Sequence, residues 1–231
     1  MSQSIRQRRK SQGTSNIGIW IIGVSAAVVI IVVAAIALSN RQSVAGIAQP
    51  EVPAEWIERN TLGDPNAPVV IEAWEDFMCP ACLQWTNTVK PRLQEEYIET
   101  GQVRLVFRNF PLQGFMPASR MAAMASQCAA DQDAFWPYHD RLFIAQSRGQ
   151  GGFLLENLVE YAGEIGLNSD EMLQCMSTQE YGDHVTDSIN QAVSLGLQAT
   201  PSILIDGQLM ANPFDYDAMS AQIDSLVEAA P

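Results

Sequence analysis

Val69-Val70-Ile71-Glu72-Ala73-Trp74-Glu75-Asp76-Phe77-Met78-Cys79-Pro80-Ala81-Cys82 is the stretch on which the reading of this 231-residue chain turns. The apolar run from Val69 to Trp74 has the length and the β-branched content of a buried strand. After Cys79 the pattern becomes helical, so the two cysteines fall on a strand-to-helix junction. A thiol at the first turn of a helix meets unpaired backbone N–H groups and the positive end of the helix dipole. Both favour the thiolate, the form that attacks disulfides. Two cysteines three apart can close a small disulfide ring, and zinc sites use the same spacing. The rest of the chain decides between these uses.

The N-terminus sets the compartment. Arg6, Arg8, Arg9 and Lys10 precede an uncharged run of 22 residues, Ile17 to Leu38. At about 1.5 Å per residue such a helix spans roughly 33 Å, enough for a ~30 Å hydrocarbon core. Residues 1–16 read as a basic cytoplasmic tail, 17–38 as a transmembrane signal anchor, and 39–55, with Pro50 and Pro53, as a tether. The expected location is the cell membrane: a single pass, N-terminus inside, catalytic domain outside. A cleaved signal peptide with Ala35-Ile36-Ala37 at the cleavage site is the competing reading. The apolar run exceeds the roughly 7–15 residues of a signal core, which favours the anchor.

Charge divides between the two parts. Residues 1–41 carry five of the 13 basic residues and no acid, which leaves eight basic and all 26 acidic residues, a net −18, beyond them. A domain so acidic repels nucleic acid and anionic membrane surfaces, so nucleic-acid binding is excluded. Four cysteines in an exported chain allow three pairings. With Cys79 and Cys82 adjacent, Cys128 and Cys175 remain as the natural second pair, a bridge that the sequence itself leaves open.

Periodicity then orders the domain, residues 56–231. A strand over 69–75 is followed by a helix from Cys79 to about Thr100, kinked at Pro91, and by a second strand over 103–108. Asn60 to Pro68 reads as a turn-rich lead. From about 117 to 196 the pattern is helical, with segments over 134–146, 153–166, 169–177 and 180–196. The period returns to two over 202–206, Gly207 turns the chain, 208–211 forms a short partner strand, and a last helix covers about 214–229. A helical block interrupting a strand–helix core describes one α/β domain with an insertion. Roughly 175 residues suffice to bury a sizeable core.

Four pieces, in this order, resemble the DsbA-like thiol–disulfide oxidoreductases of the thioredoxin superfamily. They are Leu62-Gly63-Asp64-Pro65-Asn66-Ala67-Pro68-Val69, Glu75 to Cys82, Cys128-Ala129-Ala130 with Phe135-Trp136-Pro137-Tyr138-His139-Asp140, and Ala199-Thr200-Pro201-Ser202-Ile203-Leu204-Ile205-Asp206-Gly207. The resemblance implies a thioredoxin-like fold with an inserted helical subdomain. It makes Cys79 the exposed nucleophile, Cys82 the buried partner, and Pro80 and Ala81 active-site support between them. It makes Pro201 a cis-proline beside the cysteines, with Thr200 offering backbone groups to a substrate strand. It implies a structural disulfide between Cys128 and Cys175, with two buried free thiols as the alternative. Its partners would be exported proteins with cysteine thiols and a membrane quinone-linked thiol oxidase that reoxidises the pair. No bound cofactor and no metal is implied.

The chain departs from the family at two places. Relatives commonly carry a buried carboxylate six residues before the nucleophile, where this chain has Ala73. Glu72 is one residue off, on the other face of the strand, so the carboxylate is either missing or supplied by Glu75 or Asp76. Pro80-Ala81 also lacks the histidine of the strongly oxidising prototype, and a weaker oxidant is expected. Reduction or isomerisation of exported substrates is the alternative direction. A metal chaperone would need His139 or His184, each more readily a packing or surface residue. Met121 and Met124 read as core or groove lining. Phe110-Pro111-Leu112 and Phe115-Met116 fit a peptide groove or the core equally.

Overall fold

The computed structural model describes residues 52–230. The basic tail, the apolar run and the tether up to Glu51 lie outside the described residues. Among the described residues no helix is long and apolar enough to cross a membrane.

The chain enters through two very short strands, β1 (Ile57–Glu58) and β2 (Thr61–Leu62), which pair antiparallel as a hairpin. β3 (Val69–Glu75) and β4 (Val103–Asn109) are parallel, in register from Val69 opposite Val103 to Glu75 opposite Asn109. β5 (Ser202–Ile205) lies antiparallel on the other side of β3 and carries β6 (Gln208–Leu209). The sheet order is β1-β2-β4-β3-β5-β6. β3 is central, fully buried on its core face and half-buried at Val70 and Glu72 on the other. Val69, Ile71 and Ala73 enter the main core, while Trp74 packs on the opposite side with Phe110, Ala192, Leu197 and Leu204. Gly63 bridges β2 and β3 with φ +121°, and a Cβ there would lie 2.4 Å from the Val103 carbonyl oxygen, so only glycine fits.

The parallel β3–β4 pair needs a crossover, supplied by α1 (Pro80–Thr88), α2 (Lys90–Leu93) and a π turn over Gln94–Ile98. The sequence predicts one helix kinked at Pro91, and the structure places the interruption at Val89, whose backbone stays helical with its amide on the Trp85 carbonyl. Pro91 has no amide to continue the i→i−4 ladder, so the helix restarts one residue before it. The β1–β2 hairpin also replaces part of the expected lead, because two-residue strands are too short to show alternation.

Between β4 and β5 the chain leaves the sheet for five helices. These are α3 (Ala118–Ala130), α4 (Phe135–Ala145), α5 (Leu155–Glu164), α6 (Ser169–Thr178) and α7 (Gly182–Ser194), with a 3₁₀ stretch over Gln146–Phe153. Met124 is buried and Met121 partly so, both on α3 against the main core. Cys128 on α3 and Cys175 on α6 are joined by a disulfide, their Cα atoms 6.0 Å apart across 47 residues of sequence. The last helix, α8 (Tyr216–Ala229), packs by Tyr216, Met219 and Ile223. The result is a thioredoxin-like α/β fold with an inserted helical region.

Candidate active site

The cysteine pair sits where β3 ends and α1 begins. Cys79 is the N-cap of α1, with extended backbone (φ −80°, ψ 119°), and Pro80 occupies the first helical position, where no N–H partner is needed. Ala81 follows on the first turn, partly buried, and Cys82 lies inside it. Cys79 is more covered than the exposed thiol that the sequence leads one to expect. It is 7% exposed, against 0% for Cys82, because the segment before β5 closes over it. That segment holds a cis Thr200–Pro201 peptide, and the Cys79 thiol donates to the Thr200 carbonyl at 3.3 Å. The register of Trp74 opposite Ser202 carries Thr200 and Pro201 to this end of the sheet.

The two thiols, both free, have opposite electrostatics. Cys79 is lowered to about 6, chiefly by a hydrogen bond from the Cys82 thiol. Burial works against this, and Thr200 with the amides of Cys82 and Ala81 add to it. Cys82 is pushed well up by burial, then by Cys79 and by Glu75. The Asp76 amide, 3.5 Å from the Cys82 sulfur, opposes that rise.

The structure distinguishes the three nearby carboxylates. Glu72 points away and pairs with the Arg108 guanidinium at 2.7 Å. Asp76 spends its oxygens on the backbone, accepting from the Met78 and Leu112 amides, both at 2.8 Å, which fixes the loop ahead of Cys79. Glu75 lies two residues beyond Ala73 on the same strand face, is 1% exposed, and its Oε2 has no hydrogen-bond partner. Burial pushes its pKa up to about 8, against the pull of Lys90 and with a push from Cys79. The buried carboxylate is therefore present, displaced by two residues.

A buried polar row extends from it. Cys82, Thr86 and Lys90 recur every four residues along α1 and α2, and all three are buried. The Lys90 ammonium stacks over Trp136, 5.1 Å from the ring centre, and donates to Asp140 at 3.1 Å. Asp140 also meets His139 Nδ1 at 2.7 Å. Burial alone would raise Asp140, but His139 and Lys90 outweigh it and hold the carboxyl at about 2. Burial drives His139 down to about 4, and Phe77, Phe107, Phe135, Trp136 and Phe143 surround its ring. His184 instead lines a polar cleft of about 220 Å³ with Arg108, Asp187 and Gln127. Among the described residues no three His, Cys, Asp or Glu side chains are grouped to hold a metal ion.

Gln146, just past the end of α4, donates from Nε2 to the carbonyls of Phe77 (2.9 Å) and Cys79 (3.0 Å). Nothing local marks this glutamine, since only the folded insertion brings it to the cysteine loop.

The thioredoxin family model described as "Thioredoxin" matches residues 57–225. "Probable disulfide bond formation protein D" of Bacillus anthracis is 34% identical over 171 residues, which cover 72% of this chain and 77% of that protein. The chain belongs to the DsbA-like thiol–disulfide oxidoreductases. The oxidised crystal structure of BdbD from Bacillus subtilis superposes with a TM-score of 0.68 at 23% identity, covering 74% of this chain and 94% of that one. DsbA2 of Pseudomonas aeruginosa does so with a TM-score of 0.59 at 30% identity, covering 73% and 93%. As a DsbA-like enzyme, the chain carries Cys79 and Cys82 as its CxxC pair.

Proposed function

We propose that this protein introduces disulfides into exported proteins from the outer side of the membrane, held there by residues 17–38. The observation that carries the reading is the inequality of the two thiols, one held near 6 and the other pushed far up. A stabilised Cys79 thiolate lowers the energy of the reduced enzyme, which makes the disulfide form the better oxidant.

In the oxidising direction a substrate thiolate attacks the Cys79 sulfur of the Cys79–Cys82 disulfide. The bond between the two enzyme sulfurs breaks, and Cys82 leaves. Its sulfur takes a proton from the Glu75 carboxyl, which is protonated at neutral pH because its pKa lies near 8. A second substrate thiolate then attacks the substrate sulfur of the mixed disulfide and releases Cys79 as thiolate. The substrate loses two electrons to the enzyme pair, and Glu75 regains its proton from water. Thr200 and Pro201 flank Cys79 where a substrate strand would lie. A membrane quinone-linked thiol oxidase would return the pair to the disulfide, and no bound cofactor takes part.

Cys82→Ala tests the reading. In the native host this variant should accumulate mixed disulfides through Cys79 with exported proteins. Their absence under oxidising and reducing conditions alike overturns it. Lacking a histidine between the cysteines, the enzyme should be a weaker oxidant than the prototype, and a redox titration giving an equal potential refutes that part.

A further inference from the structure

We infer that Gln146 is a positioning residue through which the helical insertion sets the reactivity of Cys79. The proposal rests on the redox role of the pair and adds to it a residue outside the thioredoxin core. Both partners of the Gln146 side chain are backbone carbonyls, so only its NH₂ end can face them, and each of its two protons has an acceptor. One acceptor is the carbonyl of the nucleophile itself. That carbonyl also receives the first bond of α1, from the Leu83 amide at 3.2 Å.

The Cys79 peptide is thus held from two sides, by its own helix and by the insertion. The amides that face the sulfur, those of Ala81 and Cys82, belong to the turn this peptide opens. Fixing the peptide plane fixes their aim. The same end of α4 is pressed on the loop by Phe143, whose ring lies 5.1 Å from that of Phe77. The groups facing Cys79 that could obscure the result are Cys82 from α1, Glu75 from β3 and the polar Thr200 ahead of β5.

The test uses the full chain with Gln146→Met, which keeps length without donors, and Gln146→Glu, which keeps shape. Two quantities are read: the pH midpoint of thiolate absorbance at Cys79, and the equilibrium of the pair with glutathione. For Gln146→Met the midpoint should rise by about half a unit. The equilibrium should shift about threefold toward the enzyme disulfide, because a half-unit change in thiolate affinity is a threefold change in constant. Gln146→Glu should shift the midpoint further, since a carboxylate would face the Phe77 and Cys79 carbonyls and loosen the peptide that Gln146 holds. Wild-type values in both variants overturn the proposal, and so does a lowered melting temperature with an unchanged midpoint. If Gln146→Met does not fold, the shape-conserving Gln146→Glu alone decides. A wild-type chain with no thiol titrating near 6 would count against the redox reading itself rather than against Gln146.

Discussion

Glu75 is an ionisable side chain placed where water cannot reach it, beside a thiol that must gain and lose a proton. Its consequences can be measured in two ways. The folded carboxyl titrates near 8 and the unfolded one near 4.5, so the folded state binds the extra proton between those values. The stability that this provides is fully present below about 4.5 and is lost as pH rises through about 8. Melting temperatures of the reduced protein should therefore fall across that window, and Glu75→Gln should flatten the slope. In exchange kinetics, Cys82 must lose its proton to resolve a mixed disulfide. Glu75→Gln should slow that step about tenfold or more above pH 8 and little at pH 6, as expected when a general base is removed. Stopped-flow fluorescence against a peptide disulfide measures both limbs. Equal rates at both pH values would show that another group takes the proton.

At the scale of elements, the insertion is stapled across 47 residues by the bond between α3 and α6. Closing a loop of that length restricts the unfolded chain by roughly 4 kcal/mol in the chain-entropy model. The double variant Cys128→Ser, Cys175→Ser should lose up to that amount in denaturant unfolding while leaving the Cys79 midpoint near 6. A shifted midpoint would mean that the bridge reaches the active site. The elements also show what the sequence could reveal. β3, the α1 start and the Thr200–Pro201 segment are legible because each is a continuous run whose chemistry is local: a buried strand, an N-cap with a following proline, an X–Pro lead into a strand. The kink is legible from Pro91, but its place at Val89 is not, since a helical period persists across it. Nor are the two-residue strands, whose pairing comes from neighbours rather than from alternation. Gln146 and Lys90 escape for a third reason. Their partners, the Cys79 carbonyl and Asp140, lie 67 and 50 residues away, and no spacing along the chain encodes that.

The molecule as a whole presents a strongly negative surface, with eight basic against 26 acidic residues beyond residue 41. Such a field concentrates cationic thiols near the cysteine pair and repels anionic ones over a distance set by salt, roughly 10 Å at 0.1 M. Exchange with cysteamine should therefore slow several-fold between 20 mM and 500 mM salt, while exchange with glutathione should quicken. Parallel salt responses for the two thiols would show that the overall field does not act at the site.

The chain departs the sheet at Asn109 and rejoins it at Ser202, and both crossings touch the redox centre. Outbound, the Leu112 amide is bound by Asp76, and inbound, the Thr200 carbonyl meets Cys79. A block of helices that meets the redox centre at these two crossings and at Gln146 is modular in a specific sense. Its outer helices can lengthen, shorten or change sequence without altering any strand register, whereas a change at any of these three contacts is felt at the sulfur. The outer helices and the redox chemistry can therefore diverge at different rates within one continuous chain.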